Sequence, residues 1–215
     1  RNCMKTKKVI KTLLTVILVA VLLVAGYVGF QYWRITRMMA ADTQKLQGVI
    51  DSLSENGEAF ADMFKVVDYE GNEMGKELFE QADLTVVNIW ATDCVPCVEE
   101  TPELNEIAKE YKDKGVQIVG LCGGSLGIPY AEQDEAKQEE LKQQAEEILE
   151  ASGVDSLIEV FSAKEFGDAV NKLIVTGYPT TVFVNGSGEV VRVVSGAYPK
   201  STWIDYIEKT LAEVK

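Results

Sequence analysis

Cys94 and Cys97 stand two residues apart in the stretch Trp90-Ala91-Thr92-Asp93-Cys94-Val95-Pro96-Cys97. Thiols at that spacing can cycle between dithiol and disulfide, hold a metal, attach haem or staple a fold. Their neighbours narrow the choice. An apolar, β-rich run, Leu84-Thr85-Val86-Val87-Asn88-Ile89, precedes them, and an acidic, helix-prone run, Val98-Glu99-Glu100-Thr101-Pro102-Glu103-Leu104, follows. The first cysteine therefore sits where a strand hands over to a helix. There, unpaired N–H groups and the positive end of the helix dipole favour the thiolate that attacks disulfides, and the second cysteine can close the ring. The chain has no histidine, which excludes Cys/His zinc sites, haem attachment through Cys-x-x-Cys-His and copper sites needing imidazole.

Around this pair lies a chain of 215 residues, 47% of them apolar, enough for one domain with a real core and an additional segment. Residues Arg1 to Arg37 hold seven of the 21 basic residues and none of the 34 acidic ones, so the remainder carries a formal net charge of about −20. So acidic a domain repels nucleic acid and anionic headgroups, and no nucleic-acid partner is expected. Thr12 to Trp33 contains no charged residue, and its length of roughly 33 Å suffices to cross the hydrocarbon core of a bilayer. Lys5, Lys7, Lys8 and Lys11 precede it, whereas only Arg34 and Arg37 closely follow. This bias puts a basic N-terminus (1–11) in the cytoplasm, a transmembrane anchor at 12–33, a juxtamembrane stalk at 34–60 and a domain at 61–215 outside. A cleaved signal peptide is the rival reading, but the apolar run is long for one and no Ala-x-Ala follows closely. Met4 is a candidate natural start, and Cys3 precedes the span and is given no role. On that topology a four-cysteine zinc site would need Cys3 from the far side of the membrane, so no metal is expected.

After the stalk, the sequence predicts a hairpin over Phe64 to Met74 around Gly71-Asn72, a short helix from Gly75 to Ala82, and a central strand from Leu84 to Trp90. A helix should run from about Pro96 to Lys114, kinked at Pro102 and stopped by Gly115. The strand Val116 to Leu121 ends in Cys122-Gly123-Gly124. A charged helix from Ala131 to Ser152 shows a thin apolar stripe of Leu141, Ala145, Ile148 and Leu149. Next come a strand at Leu157 to Phe161 and a helix opened by the capping box Ser162-Ala163-Lys164-Glu165, burying Phe166, Ala169, Val170 and Leu173. The strands Val175 to Val184 and Glu189 to Ser195 form a hairpin around Asn185-Gly186-Ser187-Gly188, and Ser201 to Val214 is a last helix. The expected class is α/β, with a mixed central sheet flanked by helices.

Trp-Ala-Thr-x-Cys-x-Pro-Cys after an apolar strand, with Gly177-Tyr178-Pro179-Thr180-Thr181-Val182-Phe183-Val184 about 80 residues later, resembles the thioredoxin fold. With the anchor, the early hairpin and the insert before Pro179, the chain is most similar to the TlpA/ResA-like membrane-anchored thiol–disulfide oxidoreductases, over about Ala61 to Lys215. The resemblance implies a single-pass protein of the bacterial cytoplasmic membrane, N-terminus inside, that reduces disulfides of extracytoplasmic proteins. It implies Cys94 as exposed nucleophile, Cys97 as buried resolving thiol, and Pro179 as a cis-proline packed against the disulfide. Tyr178 would pair its backbone with an extended substrate, and Trp90, Val95 and Pro96 would complete the substrate-binding surface. A membrane thiol donor would regenerate the dithiol. Substrates could include haem-binding cysteines of apocytochrome c, and no cofactor beyond the disulfide is implied. Two other classes stay open: a peroxiredoxin-like peroxidase, although no Pro precedes Thr92 at the spacing such enzymes use, and a non-catalytic thioredoxin-fold interaction module.

Thioredoxins proper carry a buried acid where this chain has Asn88, as the TlpA/ResA group does not. Glu100, three residues beyond Cys97, is the candidate proton carrier, or simply an acid favoured in a first helical turn. Cys122 is either a buried small hydrophobe or a third redox thiol. Asp93 replaces the aromatic residue usual before the first cysteine, and a carboxylate there disfavours the Cys94 thiolate. Asp93→Asn is therefore expected to move the Cys94/Cys97 couple to a less negative potential, and an unmoved redox titration would sink that role.

Overall fold

The computed structural model describes residues 15, 18–30, 33, 48, 59–125, 128–163, 166 and 177–215. The chain divides into two units, 1–42 and 43–215. In the first, residues 18–30 are helical, with Leu22, Leu23 and Val24 exposed. No helix among the described residues is long and apolar enough to cross a membrane, and most of the rest of the expected 12–33 span lies outside the described residues. So does the expected stalk, save Gly48, Ala59 and Phe60. Phe60 corrects the boundary placed at 61: it is buried in the domain core, because it opens a helix whose first turn is held by the Asp62 carboxylate accepting the Ala59 N–H at 3.3 Å.

That helix is α1 (Phe60–Met63). The strands β1 (Val66–Val67) and β2 (Glu73–Met74) form the hairpin, its turn closed by Asp68 accepting from the Asn72 backbone and side chain at 2.8 Å, with Gly71 at φ 85°. The expected helix after it is a 3₁₀ helix, Lys76–Gln81. β3 (Leu84–Trp90) leads into α2 (Val95–Tyr111), and a 3₁₀ turn carries α2 to Gly115, whose φ of 82° ends it. Pro102 lies inside α2. β4 (Val116–Cys122) is followed by a two-stranded ribbon, β5 (Gly124–Ser125) with β6 (Ile128–Pro129).

α3 (Glu135–Ala151) starts later than Ala131, because the Asp134 side chain caps it by accepting the Lys137 N–H at 2.9 Å and a 3₁₀ turn fills Tyr130–Glu132. β7 (Ile158–Ser162) takes Ser162 into the sheet, and Lys164 and Glu165 of the expected capping box lie outside the described residues. Of the helix expected beyond it only Phe166 is described, helical and buried; Ala169, Val170 and Leu173 lie outside the described residues. β8 (Thr180–Asn185), β9 (Val190–Ser195) and α4 (Lys200–Val214) complete the chain.

The main sheet has the order β2-β1-β7-β4-β3-β8-β9, with β3, β4 and β7 mutually parallel and the remaining pairs antiparallel. All seven β3 residues are buried, as a central strand covered on both faces requires. Side chains alternate between faces. Val87, Ile89, Val119, Leu121 and Val182 pack on one face against Phe60, Phe64, Phe79 and Phe166. On the other, Leu84, Val86, Ile118 and Phe183 meet Leu104, Ile107 and Trp203 of α2 and α4, while Trp90, Cys122 and Phe161 meet Leu141, Ala145 and Leu149 of α3. Phe64 touches Phe79 and Phe166 edge-to-face at 4.9 Å. Phe64→Ala is expected to cost about 3–5 kcal/mol in urea unfolding through the cavity it leaves.

Candidate redox site

β3 and β4 run parallel with Trp90 opposite Cys122, so both strands emit their loops at one edge of the sheet. The loops are tied there: Gly123 N–H donates to the Trp90 carbonyl at 2.8 Å and Thr92 N–H to the Gly124 carbonyl at 3.2 Å. The chain then turns into α2 with Cys94 as the N-cap residue, its carbonyl accepting from Cys97 N–H at 3.0 Å and Val98 N–H at 3.1 Å. Pro96 fits this first turn because its missing N–H would have had no partner within the helix. Cys94 and Cys97 are joined as a disulfide.

The disulfide lies at the rim of an enclosed cluster. Cys97 is 0% exposed, and Cys94, which the sequence reading made an exposed nucleophile, is 4% exposed. The reason is packing: Trp90, Ala91, Cys122, Tyr130, Phe161 and the apolar face of α3 gather with the two cysteines, and Tyr178 packs on them. Trp90, placed by the sequence at the substrate surface, is 2% exposed instead. Its indole N–H donates inward to Glu159 Oε2 at 3.3 Å. Val95 is 66% exposed, Pro96 is exposed beside it, and Asp93 is exposed just before Cys94. The Tyr178–Pro179 peptide is cis. Pro179 is buried one residue before Thr180, which pairs with Ile89, so it reaches the same sheet edge as the cysteines. The Tyr178 side chain lies over Gly123, where a Cβ would meet its hydroxyl at 2.5 Å.

Glu100 stands one turn into α2 from Cys97 and is 4% exposed. Three donors converge on its carboxyl: Asn88 Nδ2 at 3.0 Å on Oε1, and the Tyr198 N–H and Trp203 Nε1, both at 3.2 Å, on Oε2. Burial outweighs these donors and pushes its pKa up to about 7. Such a carboxyl can give or take a proton near neutral pH. Cys122, unpaired and buried, has its thiol pushed up to about 12, chiefly by burial. Glu159, with a carboxyl pushed up to about 8 by burial, escaped the sequence reading. Its signals were a lone charge between Ile158 and Val160 in an apolar strand, and a glycine, Gly120, inside the neighbouring one.

A family model described as Redoxin matches residues 69–207. The chain belongs to the Redoxin family. Relatives named thiol-disulfide oxidoreductase ResA include one from Bacillus anthracis, 27% identical over 202 residues, covering 89% of this chain and 92% of the relative. Another, from Bacillus subtilis strain 168, is 28% identical over 121 residues, covering 56% and 58%. Among solved structures, the thioredoxin domain of a thiol-disulfide oxidoreductase from Bacteroides vulgatus superposes with a TM-score of 0.54 at 20% identity, covering 72% of this chain and 96% of that one. A thioredoxin family thiol:disulfide interchange protein from Chlorobium tepidum TLS gives 0.53 at 21%, covering 69% and 92%; both share the thioredoxin-like fold. With the Cys94–Cys97 pair, these relatives make this Redoxin-family chain a thiol–disulfide oxidoreductase.

Because the folded pKa of Glu100 lies above the ordinary carboxyl value of 4.5, its contribution to stability is fully present below about pH 4.5 and is lost as pH rises through about 7. Glu100→Gln removes that dependence. Wild type is expected to lose stability relative to this variant between pH 5 and pH 8, by up to about 3 kcal/mol at 1.36 kcal/mol per pKa unit, measured by urea unfolding at both pH values.

Proposed function

We propose that the protein is a membrane-anchored, extracytoplasmic reductase of protein disulfides, working through Cys94 and Cys97. The observation that carries the reading is the disulfide at the junction of β3 and α2 with a buried carboxyl of near-neutral pKa, Glu100, one turn along the same helix. In the reduced protein the helix N-terminus favours the Cys94 thiolate. Cys94 Sγ attacks one sulfur of a substrate disulfide; the other sulfur leaves as a thiolate and takes a proton. The Cys97 thiol passes its proton to Glu100, attacks Cys94 Sγ and expels the second substrate thiolate. Two electrons have then moved to the substrate, leaving Cys94–Cys97 oxidised. A membrane dithiol donor restores the pair by the reverse exchange.

Exposed Val95 and Pro96 and the cis Tyr178–Pro179 segment would receive an extended substrate chain beside the disulfide. The location rests on the sequence: an uncharged stretch from Thr12 to Trp33 with its lysines ahead of it. Outside the cytoplasmic membrane no glutathione pool keeps thiols reduced, so a dithiol there needs a dedicated donor. Haem-binding cysteines of an apocytochrome are the substrate class that the resemblance to ResA favours. Titration of the full chain in detergent against dithiothreitol, read by alkylation, is expected to give a potential near about −270 mV or lower. A value near about −120 mV would make the protein a disulfide-forming oxidant and reverse every transfer above.

A further inference from the structure

One row of residues crosses the sheet on the face that carries the redox site: Glu159 on β7, Gly120 on β4, Asn88 on β3 and Thr181 on β8, each in register with the next. Asn88 serves Glu100 and Thr181, both at 3.0 Å. Glu159 serves something else. Its acceptor contact is with Trp90, which lies on β3, two strands away, so its carboxyl must pass over β4 to reach the indole. It passes at Gly120, where a Cβ would fall inside the carboxyl group. Gly120 is not among the glycines with positive φ. The backbone therefore does not require glycine at this position; the space does.

We propose that Glu159 is a positioning residue of the thiol–disulfide centre, seated on the bare Cα of Gly120 and fixing the Trp90 indole within the cluster that encloses Cys94 and Cys97. Trp90 is the last residue of β3, four before Cys94, and it is buried in one apolar cluster whose walls include Cys122 on β4 and Phe161 on β7. An indole in this cluster could slide along those apolar walls, because dispersion contacts are poorly directional. A hydrogen bond at 3.3 Å to a strand-borne carboxyl gives it one rotation. The rigid indole then defines the wall against which the two sulfurs must align for exchange, an alignment on which in-line attack depends steeply. Other titratable or charged groups around Glu159 come from several elements: Cys122 on β4, Tyr69 beside the β1–β2 turn, Asp93 in the active loop through Cys122, and Glu146 of α3 through Tyr69. None of these supplies the acceptor bonded to the Trp90 indole in this arrangement.

The inference rests on the exchange chemistry of Cys94 and Cys97 but not on its direction, so the test uses oxidised glutathione and the reduced full chain in detergent. The readout is the rate of Cys94–Cys97 oxidation from pH 5 to pH 9, by alkylation quench. Glu159→Ala and Trp90→Phe are each expected to slow exchange about tenfold, with the double variant no slower than the slower single, because both remove one interaction. Glu159→Gln, which keeps an acceptor oxygen, should stay within about twofold of wild type across the pH range, and Gly120→Ala, which displaces the carboxyl from β4, should resemble Glu159→Ala. An unslowed Glu159→Ala, an additive double variant, or a Glu159→Gln as slow as the alanine variant overturns the positioning role while leaving the reaction standing. A wild-type chain inert to oxidised glutathione after reduction would take down the exchange reading and this inference with it.

Discussion

The burial of Glu100 is the constraint on which the rest of this domain depends. A carboxyl taken out of water must find donors or lose its charge, and here the donors come from three places in the chain. Asn88 offers its amide from the central strand, the Tyr198 N–H comes from the approach to α4, and Trp203 reaches in from α4 itself. One side chain near the start of α2 therefore gathers the strand, its own helix and the last helix. The neighbouring Glu103 and Glu106 extend the same junction outward by accepting from the Lys200 backbone and side chain, respectively.

The sheet supplies the complementary order. Parallel pairing of β3 with β4 fixes which residues stand side by side, and antiparallel pairing with β8 brings the cis Tyr178–Pro179 segment to the same rim. Apolar clusters fill both faces, and on the face of the redox site a row of polar side chains, Glu159, Asn88 and Thr181, crosses the sheet. Above that row sit the disulfide and its aromatic enclosure; below it lies ordinary core.

How much of this was legible in the sequence follows from the range of each interaction. The strand–helix junction at Cys94, the turn at Gly71, the stop at Gly115 and the hairpin at Asn185 to Gly188 are local, and short-range chemistry announces them. Glu100 was noticed by its spacing from Cys97, but its donors, Tyr198 and Trp203, lie about a hundred residues away and could not be paired with it. Glu159 and Gly120 escaped for the same reason, since their meaning appears only when β7 is laid beside β4. The burial of Trp90 and Cys94 likewise depends on α3, whose packing partners its thin apolar stripe did not identify. Pattern shows which face of an element is apolar, not what will cover it.

The third sulfur shows what that cover achieves. A working disulfide with a spare thiol in the same cluster runs the hazard of scrambling, in which the wrong sulfur captures an intermediate and the cycle stalls as a dead-end pair. Only a thiolate attacks. With its pKa pushed up to about 12, chiefly by burial and further by the nearby acids Glu159 and Asp93, Cys122 keeps its proton at neutral pH. The enclosure that hides the redox pair thus also insulates it from its own neighbour, keeping a two-sulfur circuit from becoming a three-sulfur one.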